Sequence, residues 1–296
     1  MNDRLDWDRD GADWPNRASS VFVTAGGSRW HVQRMGEGPS LLLIHGTGAS
    51  THSWRDLAPL LAQHFSVVAP DLPGHGFTDL PDFHRMSLSG MAQLLQALLD
   101  ELGARPEVVV GHSAGAAILA RMCLDGPVSP RRLISLNGAL LPLGGVAGRV
   151  FSPLAKVLAS SSLPAQLFAW RAGDRSVVQR LLRDTGSRID TTGADLYARL
   201  ARNPAHVGAA LAMMANWDLD SLSRALPKLR TRLLLVAGSN DRTIPSADAY
   251  RVHAMVPKSE VLRLIGLGHL AHEEQPQRLA DLILKSAHAP VEPAEL

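Results

Sequence analysis

The stretch Gly111-His112-Ser113-Ala114-Gly115 sets a hydroxyl between two glycines, and here residue types and spacing could do chemistry. An apolar run, Val108-Val109-Val110, leads in, and Ala116-Ala117-Ile118-Leu119-Ala120 leads out. The pattern is strand, sharp turn, helix. A serine on so sharp a turn sits in strained backbone, so its neighbours must have almost no side chain. Its hydroxyl then projects above the sheet edge as a candidate nucleophile. The Ala114 amide, at the start of the helix, points to where an oxyanion would gather, which makes Ala114 a candidate oxyanion donor.

Composition bounds what surrounds this turn. The 296 residues suit one large domain or a domain with an insertion. Apolar residues make up 46% and charged residues 20%, the balance of a soluble globular chain. A formal charge of +2 shows no commitment to nucleic acid. No apolar run approaches the length of a transmembrane segment. Met1-Asn2-Asp3-Arg4-Leu5-Asp6-Trp7-Asp8 lacks the apolar stretch of a secretory signal, and the lone Cys123 excludes an internal disulfide. The expected compartment is the cytoplasm.

The elements that must hold the serine follow in chain order. Ser20–Thr24 and Arg29–Gln33 alternate at period two around Gly26-Gly27, which predicts a hairpin. Ser40–Ile44 is apolar throughout, as in a strand covered on both faces, and ends in His45-Gly46-Thr47-Gly48. A helix over 54–63, a strand at Ser66–Pro70 and an amphipathic helix over 87–102 come next. After the elbow helix, Leu133–Asn137 is a strand. From about 139 to 228 the pattern is helical, and strands resume at Arg232–Val236 and Glu260–Ile265 before a last helix near Pro276. Alternating strands and helices call for an α/β fold, a mostly parallel sheet with helices on both faces. Residues 1–138 and 229–296 form its core, and 139–228 form a helical lid inserted between two strands.

These features resemble the α/β-hydrolase superfamily over nearly the whole chain. The resemblance implies an eight-stranded sheet and a Ser-His-Asp catalytic triad whose members follow in the order serine, acid, histidine. Ser113 is followed by Asp241, just past a strand, and then by His269 in Gly266-Leu267-Gly268-His269. Asp241 would fix the histidine tautomer, and His269 would act as general base and then general acid. Some relatives carry the acid one strand earlier, but here that position reads Leu136-Asn137-Gly138, without a carboxylate. His272 is the rival to His269 and is expected to pack or cap the final helix. The amide of Thr47 matches the family's second oxyanion donor. The spacing of these histidines is not that of a metal site, and neither a metal nor a cofactor is expected.

A narrower resemblance lies in Asp13–Arg17, Ala25–Gly36 and His45–Leu61, which are similar to the magnesium-chelatase accessory proteins of bacteriochlorophyll biosynthesis. It implies an accessory role to magnesium chelatase, in magnesium insertion into protoporphyrin IX for photosynthesis.

The lid should hold the specificity. Its apolar residues include Phe151, Phe168, Met214 and Trp217, which together with Trp54 are the candidate substrate-binding residues. Arginines 171, 175, 180, 183, 188, 199 and 202 outnumber aspartates 174, 184, 190 and 195, which favours a carboxylate-bearing ligand. The leading reading is a serine hydrolase acting on a small hydrophobic molecule or tetrapyrrole, accessory to magnesium chelatase. The alternatives are a non-catalytic tetrapyrrole-binding or handover protein, or a general carboxylesterase, carbon–carbon-bond hydrolase or cofactor-free haloperoxidase.

Overall fold

Apolar runs too long to expose either face become the middle of the sheet. A computed structural model of the chain describes residues 4–142, 161 and 163–289. Its strands are β1 (Ser20–Ala25), β2 (Ser28–Met35), β3 (Ser40–Ile44), β4 (Ser66–Pro70), β5 (Val108–His112), β6 (Arg132–Leu136), β7 (Arg232–Gly238) and β8 (Ser259–Leu264). They form one eight-stranded sheet in the order β1-β2-β4-β3-β5-β6-β7-β8. β1 and β2 pair antiparallel, as do β2 and β4, and the remaining pairs are parallel. In register, Leu43 lies opposite Val110, Val110 opposite Ile134, and Ile134 opposite Leu234.

Side chains alternate across a strand, so each apolar run feeds two cores. Leu42 and Ile44 pack on one face with Val109, Leu133 and Leu235. Leu41 and Leu43 pack on the other with Val108, Val110 and Ile134. Each such side chain contributes about 1.5–3 kcal/mol on burial.

The helices that cover the faces begin with α1 (Trp7–Asp10), α2 (Leu57–Leu61), α3 (Leu88–Glu101) and α4 (Ala114–Asp125). α3 buries Met91, Leu94, Leu95, Leu98 and Leu99, and the Ser87 hydroxyl caps its start by accepting from the Gly90 amide. α4 stops at Gly126, whose φ of +86° is the left-handed C-cap that glycine suits. The helix expected over 54–63 is split into a 3-10 turn at Thr51–Trp54 and the short α2. Pro59 has no amide to continue the ladder backwards, so the α-helix starts around it.

Between β6 and β7 come α5 (Leu163–Arg171), α6 (Arg175–Asp184), α7 (Thr191–Ala201), α8 (Pro204–Ala215) and α9 (Leu219–Ala225). α6 to α9 start at Asp174, Asp190, Asn203 and Asp218, whose side chains each accept a backbone amide. α9 packs into the body: Leu222 and the following Leu226 are buried in the same cluster as α4. The chain closes with α10 (Ser246–Met255), α11 (Ala271–Glu274) and α12 (Pro276–His288).

Candidate active site

At the end of β5 the backbone turns through Ser113 at φ 51°, ψ −117°. A non-glycine residue so placed costs about 1–3 kcal/mol, which its surroundings must offset. The Ser113 amide donates to the Leu136 carbonyl at 3.0 Å, and its carbonyl accepts from Ala139 at 3.0 Å. The flanking glycines are required by close approach. A Cβ on Gly111 would strike the Ala116 backbone, and one on Gly115 would strike the Ile44 carbonyl. Ala114 opens α4, so its amide is among the helix N–H groups without an intrahelical partner.

Asp241 stands three residues beyond β7. Its Oδ1 accepts from the amides of Thr243 at 2.7 Å and Ile244 at 2.9 Å. That fixes the carboxylate and leaves Oδ2 at 2.8 Å from His269 Nδ1, with the two side chains 1% and 8% exposed. A carboxylate only accepts, so Nδ1 carries the proton and Nε2 of the neutral ring can take one.

The main chain of His269 is held as tightly as its ring. Its carbonyl accepts from His112 Nε2 at 3.0 Å and from Asn137 Nδ2 at 2.7 Å. Asn137 also donates to the Gly268 carbonyl at 2.8 Å and accepts from the Gly238 amide at 2.7 Å. One amide side chain thereby joins the ends of β6 and β7 to the loop after β8. The His112 and His269 rings lie 4.7 Å apart. Burial keeps His112 neutral, its pKa well below the ordinary histidine value. Asn137 and His112 were not legible as positioning residues, because backbone-directed bonds over such sequence distances leave no local signature.

Ser113 and His269 line one cavity of about 1040 Å³, together with Thr47 and Ala114. No hydrogen bond joins the Ser113 hydroxyl to the His269 ring here; such contacts often tighten only around a substrate. Phe168, Met214 and Trp217 are in the cavity wall, along with Leu167, Val207 and Leu211. Trp54 is not. It is fully buried in the core beside Leu57 and Leu61, against the His272 ring at 4.7 Å, so its expected ligand contact is corrected to packing. Phe151 lies outside the described residues.

His272 is buried between the Trp54 ring and the His112 ring, 4.5 Å from the latter, and its pKa is pushed down to about 3 by burial. The loop after β3 is held by two other histidines. His45 donates to the Gly46 carbonyl at 2.8 Å and accepts from Leu72 at 2.8 Å. His206 of α8 accepts from the Gly76 amide at 3.1 Å and donates to the Gly48 carbonyl at 3.1 Å. The arginine surplus is partly spent on the protein itself: Arg175 pairs with Asp195 and Arg199 with Asp13, whereas Arg171 lines the cavity. Among the described residues no group of three or more His, Cys, Asp or Glu could hold a metal ion. No described helix is long and apolar enough to cross a membrane.

This arrangement can move a proton beside a hydroxyl in a largely apolar cavity, and known proteins resemble the chain in sequence and fold. The model of the alpha/beta hydrolase family matches residues 41–282. The magnesium-chelatase 30 kDa subunit of Rhodobacter capsulatus is 41% identical over 278 residues, covering 92% of this chain and 96% of that protein. The 2-hydroxy-6-oxo-2,4-heptadienoate hydrolase of Pseudomonas putida is 27% identical, covering 88% and 94%. Among solved structures, an alpha/beta hydrolase fold protein from Burkholderia ambifaria has a TM-score of 0.76 at 25% identity, covering 90% of this chain and 97% of that one. The chain therefore belongs to the alpha/beta hydrolase family and, within it, to the group of the magnesium-chelatase 30 kDa subunit.

Proposed function

We propose that the chain is a serine hydrolase with Ser113, His269 and Asp241 as its catalytic triad, acting on an apolar small molecule and serving magnesium chelatase in the cytoplasm. The observation that carries the reading is the 2.8 Å Asp241–His269 hydrogen bond, at a cavity shared with a strained, glycine-flanked serine. His269 Nε2 takes the proton of Ser113 as its oxygen attacks the acyl carbon. The amides of Ala114 and Thr47 hold the developing oxyanion. His269 then protonates the leaving group, and a water activated by the same ring releases the acyl group.

The helices between β6 and β7 act as the cap. Their Leu167, Phe168, Leu211, Met214 and Trp217 favour an apolar ligand, and Arg171 gives the cavity one cation suited to a carboxylate on it. The role beside magnesium chelatase is supported by the name of the Rhodobacter relative.

A fluorophosphonate probe tests the reading. The wild-type chain should take one adduct at Ser113, and Ser113→Ala should take none. A wild-type chain that binds a tetrapyrrole but takes no adduct would sink the hydrolase and leave a handover protein in its place.

A further inference from the structure

Where α6 ends, the turn Thr185-Gly186-Ser187 is wedged between the loops that carry Asp241 and His269. The Thr185 carbonyl accepts from the Arg242 amide at 3.1 Å and from the His269 amide at 3.4 Å. Ser187 is 3% exposed, and its Oγ accepts from the Leu270 amide at 2.9 Å and from Thr185 Oγ1 at 2.9 Å. The residue after Asp241, His269 itself and the residue after it therefore all donate into one turn. Gly186 sits at φ +83°, where a Cβ would run into the Asn240 carbonyl, and a Cβ on Gly268 would run into the Gly186 backbone. The three segments touch main chain to main chain, with no room for side chains between.

The sheet alone does not set the distance between the two loops. Asp241 is three residues past the end of β7 at Gly238, and His269 is five past the end of β8 at Leu264. We propose that Thr185–Ser187 is a positioning element for the Asp241–His269 pair, supplied by the chain inserted between β6 and β7. It holds the His269 amide from one side while Asn137 and His112 hold the carbonyl from the other. The cover of the cavity is thereby tied to the proton relay beneath it, and moving this turn away loosens the pair. The inference rests on the proposed roles of Asp241 and His269, but its test has a readout that does not depend on hydrolysis.

The test follows the His269 Nδ1 proton in water by proton NMR, assigned by its loss in Asp241→Asn, alongside the fluorophosphonate labelling rate and the thermal midpoint. Ser187→Ala removes the acceptor for Leu270 and leaves the backbone unstrained. It should broaden or abolish the resonance, slow labelling and ester turnover by roughly ten- to a hundredfold, and leave KM unchanged. Gly186→Ala should do the same more severely; if it fails to fold, Ser187→Ala still decides. A Ser187→Ala chain with the resonance and labelling rate of the wild type overturns the proposal even if its midpoint falls, because the turn is then packing only. A wild-type chain without the resonance overturns it as well. Absence of labelling with the resonance present would remove the hydrolase reading and leave the positioning role standing.

Discussion

Asn137 Nδ2 lies 2.7 Å from the carbonyl of His269, 132 residues further along the chain. The position where some relatives carry the triad acid thus holds an amide that faces backbone carbonyls at Gly268 and His269. A donor is what those oxygens need.

It follows that an acid cannot be moved to this position. Asn137→Asp would set an acceptor-only carboxylate against two acceptors. Each buried group left unpaired costs about 1–3 kcal/mol, so the variant should lose several kcal/mol in urea unfolding. In an Asp241→Asn background it should restore no labelling of Ser113. Recovery of labelling in the double variant would show that residue 137 can reach the ring, against the geometry described.

Asp241→Asn should keep the fold and lose the chemistry. Thr243 and Ile244 donate to Oδ1, so an asparagine keeps its oxygen there and presents its NH₂ to His269. Nδ1 must then accept, the proton moves to Nε2, and the ring can no longer take one from serine. A fall in kcat of about 10⁴-fold with KM little changed is expected for a p-nitrophenyl ester. A loss below about tenfold would mean that the tautomer is set elsewhere.

The two kinds of apolar residue proposed for the ligand separate in the same assay. Trp54→Ala opens a hole in a closed core and should cost about 3–5 kcal/mol, with KM unchanged for the chains that remain folded. Met214→Ala strips a half-buried cavity wall, should cost about 1 kcal/mol, and should raise KM for long acyl chains. An unchanged KM in Met214→Ala would place the acyl group elsewhere.

This division shows what a sequence can carry. Ser40–Ile44 and Val108–Val110 were legible as double-faced strands because continuous apolar character has few other uses. Gly111 and Gly115 were legible for a similar reason, since close backbone approach admits no other residue. Trp54 misled because an aromatic beside a functional loop looks alike whether it faces the cavity or the core, and only the fold chooses. Asn137 and Ser187 act through bonds to the backbone of residues 132 and 83 positions away, so neither has a local pattern to recognise.

A buried charge network ties α7 to the body and should behave unevenly. Arg55 bridges Glu273 and, at 3.0 Å, Asp190, while Tyr197 donates to Glu273 at 2.7 Å. The Glu273 side chain is fully buried, whereas that of Asp190 is 59% exposed. Glu273→Ala takes away the fully buried partner of Arg55 and the acceptor of Tyr197, leaving the guanidinium with Asp190 and Asp56 at the solvent side, and should cost about 3–5 kcal/mol. Asp190→Asn, losing an exposed pair, should cost less than about 1 kcal/mol. Equal losses in urea unfolding would contradict the burial difference. Arg55→Met combined with Glu273→Gln should recover much of the larger loss, since no buried charge then remains and Asp190 and Asp56, left without the cation, are exposed to solvent.

Six buried histidines predict how the fold responds to acid. His45, His52, His75 and His112 are held below the ordinary value of about 6.5 by desolvation, as are His206, pushed down to about 4, and His272, to about 3. A depressed histidine stays neutral in the folded chain while the unfolded chain binds a proton. Its stabilising contribution is therefore full above the unfolded pKa and is lost as pH falls from there towards the folded value. Between about pH 7 and pH 5.5, each group depressed as far as His206 removes about 1 kcal/mol, so the total should reach several kcal/mol. Urea midpoints should be flat above about pH 7 and fall steeply below about pH 6.5. His272→Phe, retaining a ring between Trp54 and His112, should make that fall shallower by about one proton's slope. A midpoint that stays level down to about pH 5 would mean that these imidazoles take up protons in the folded chain and are not neutral packing groups.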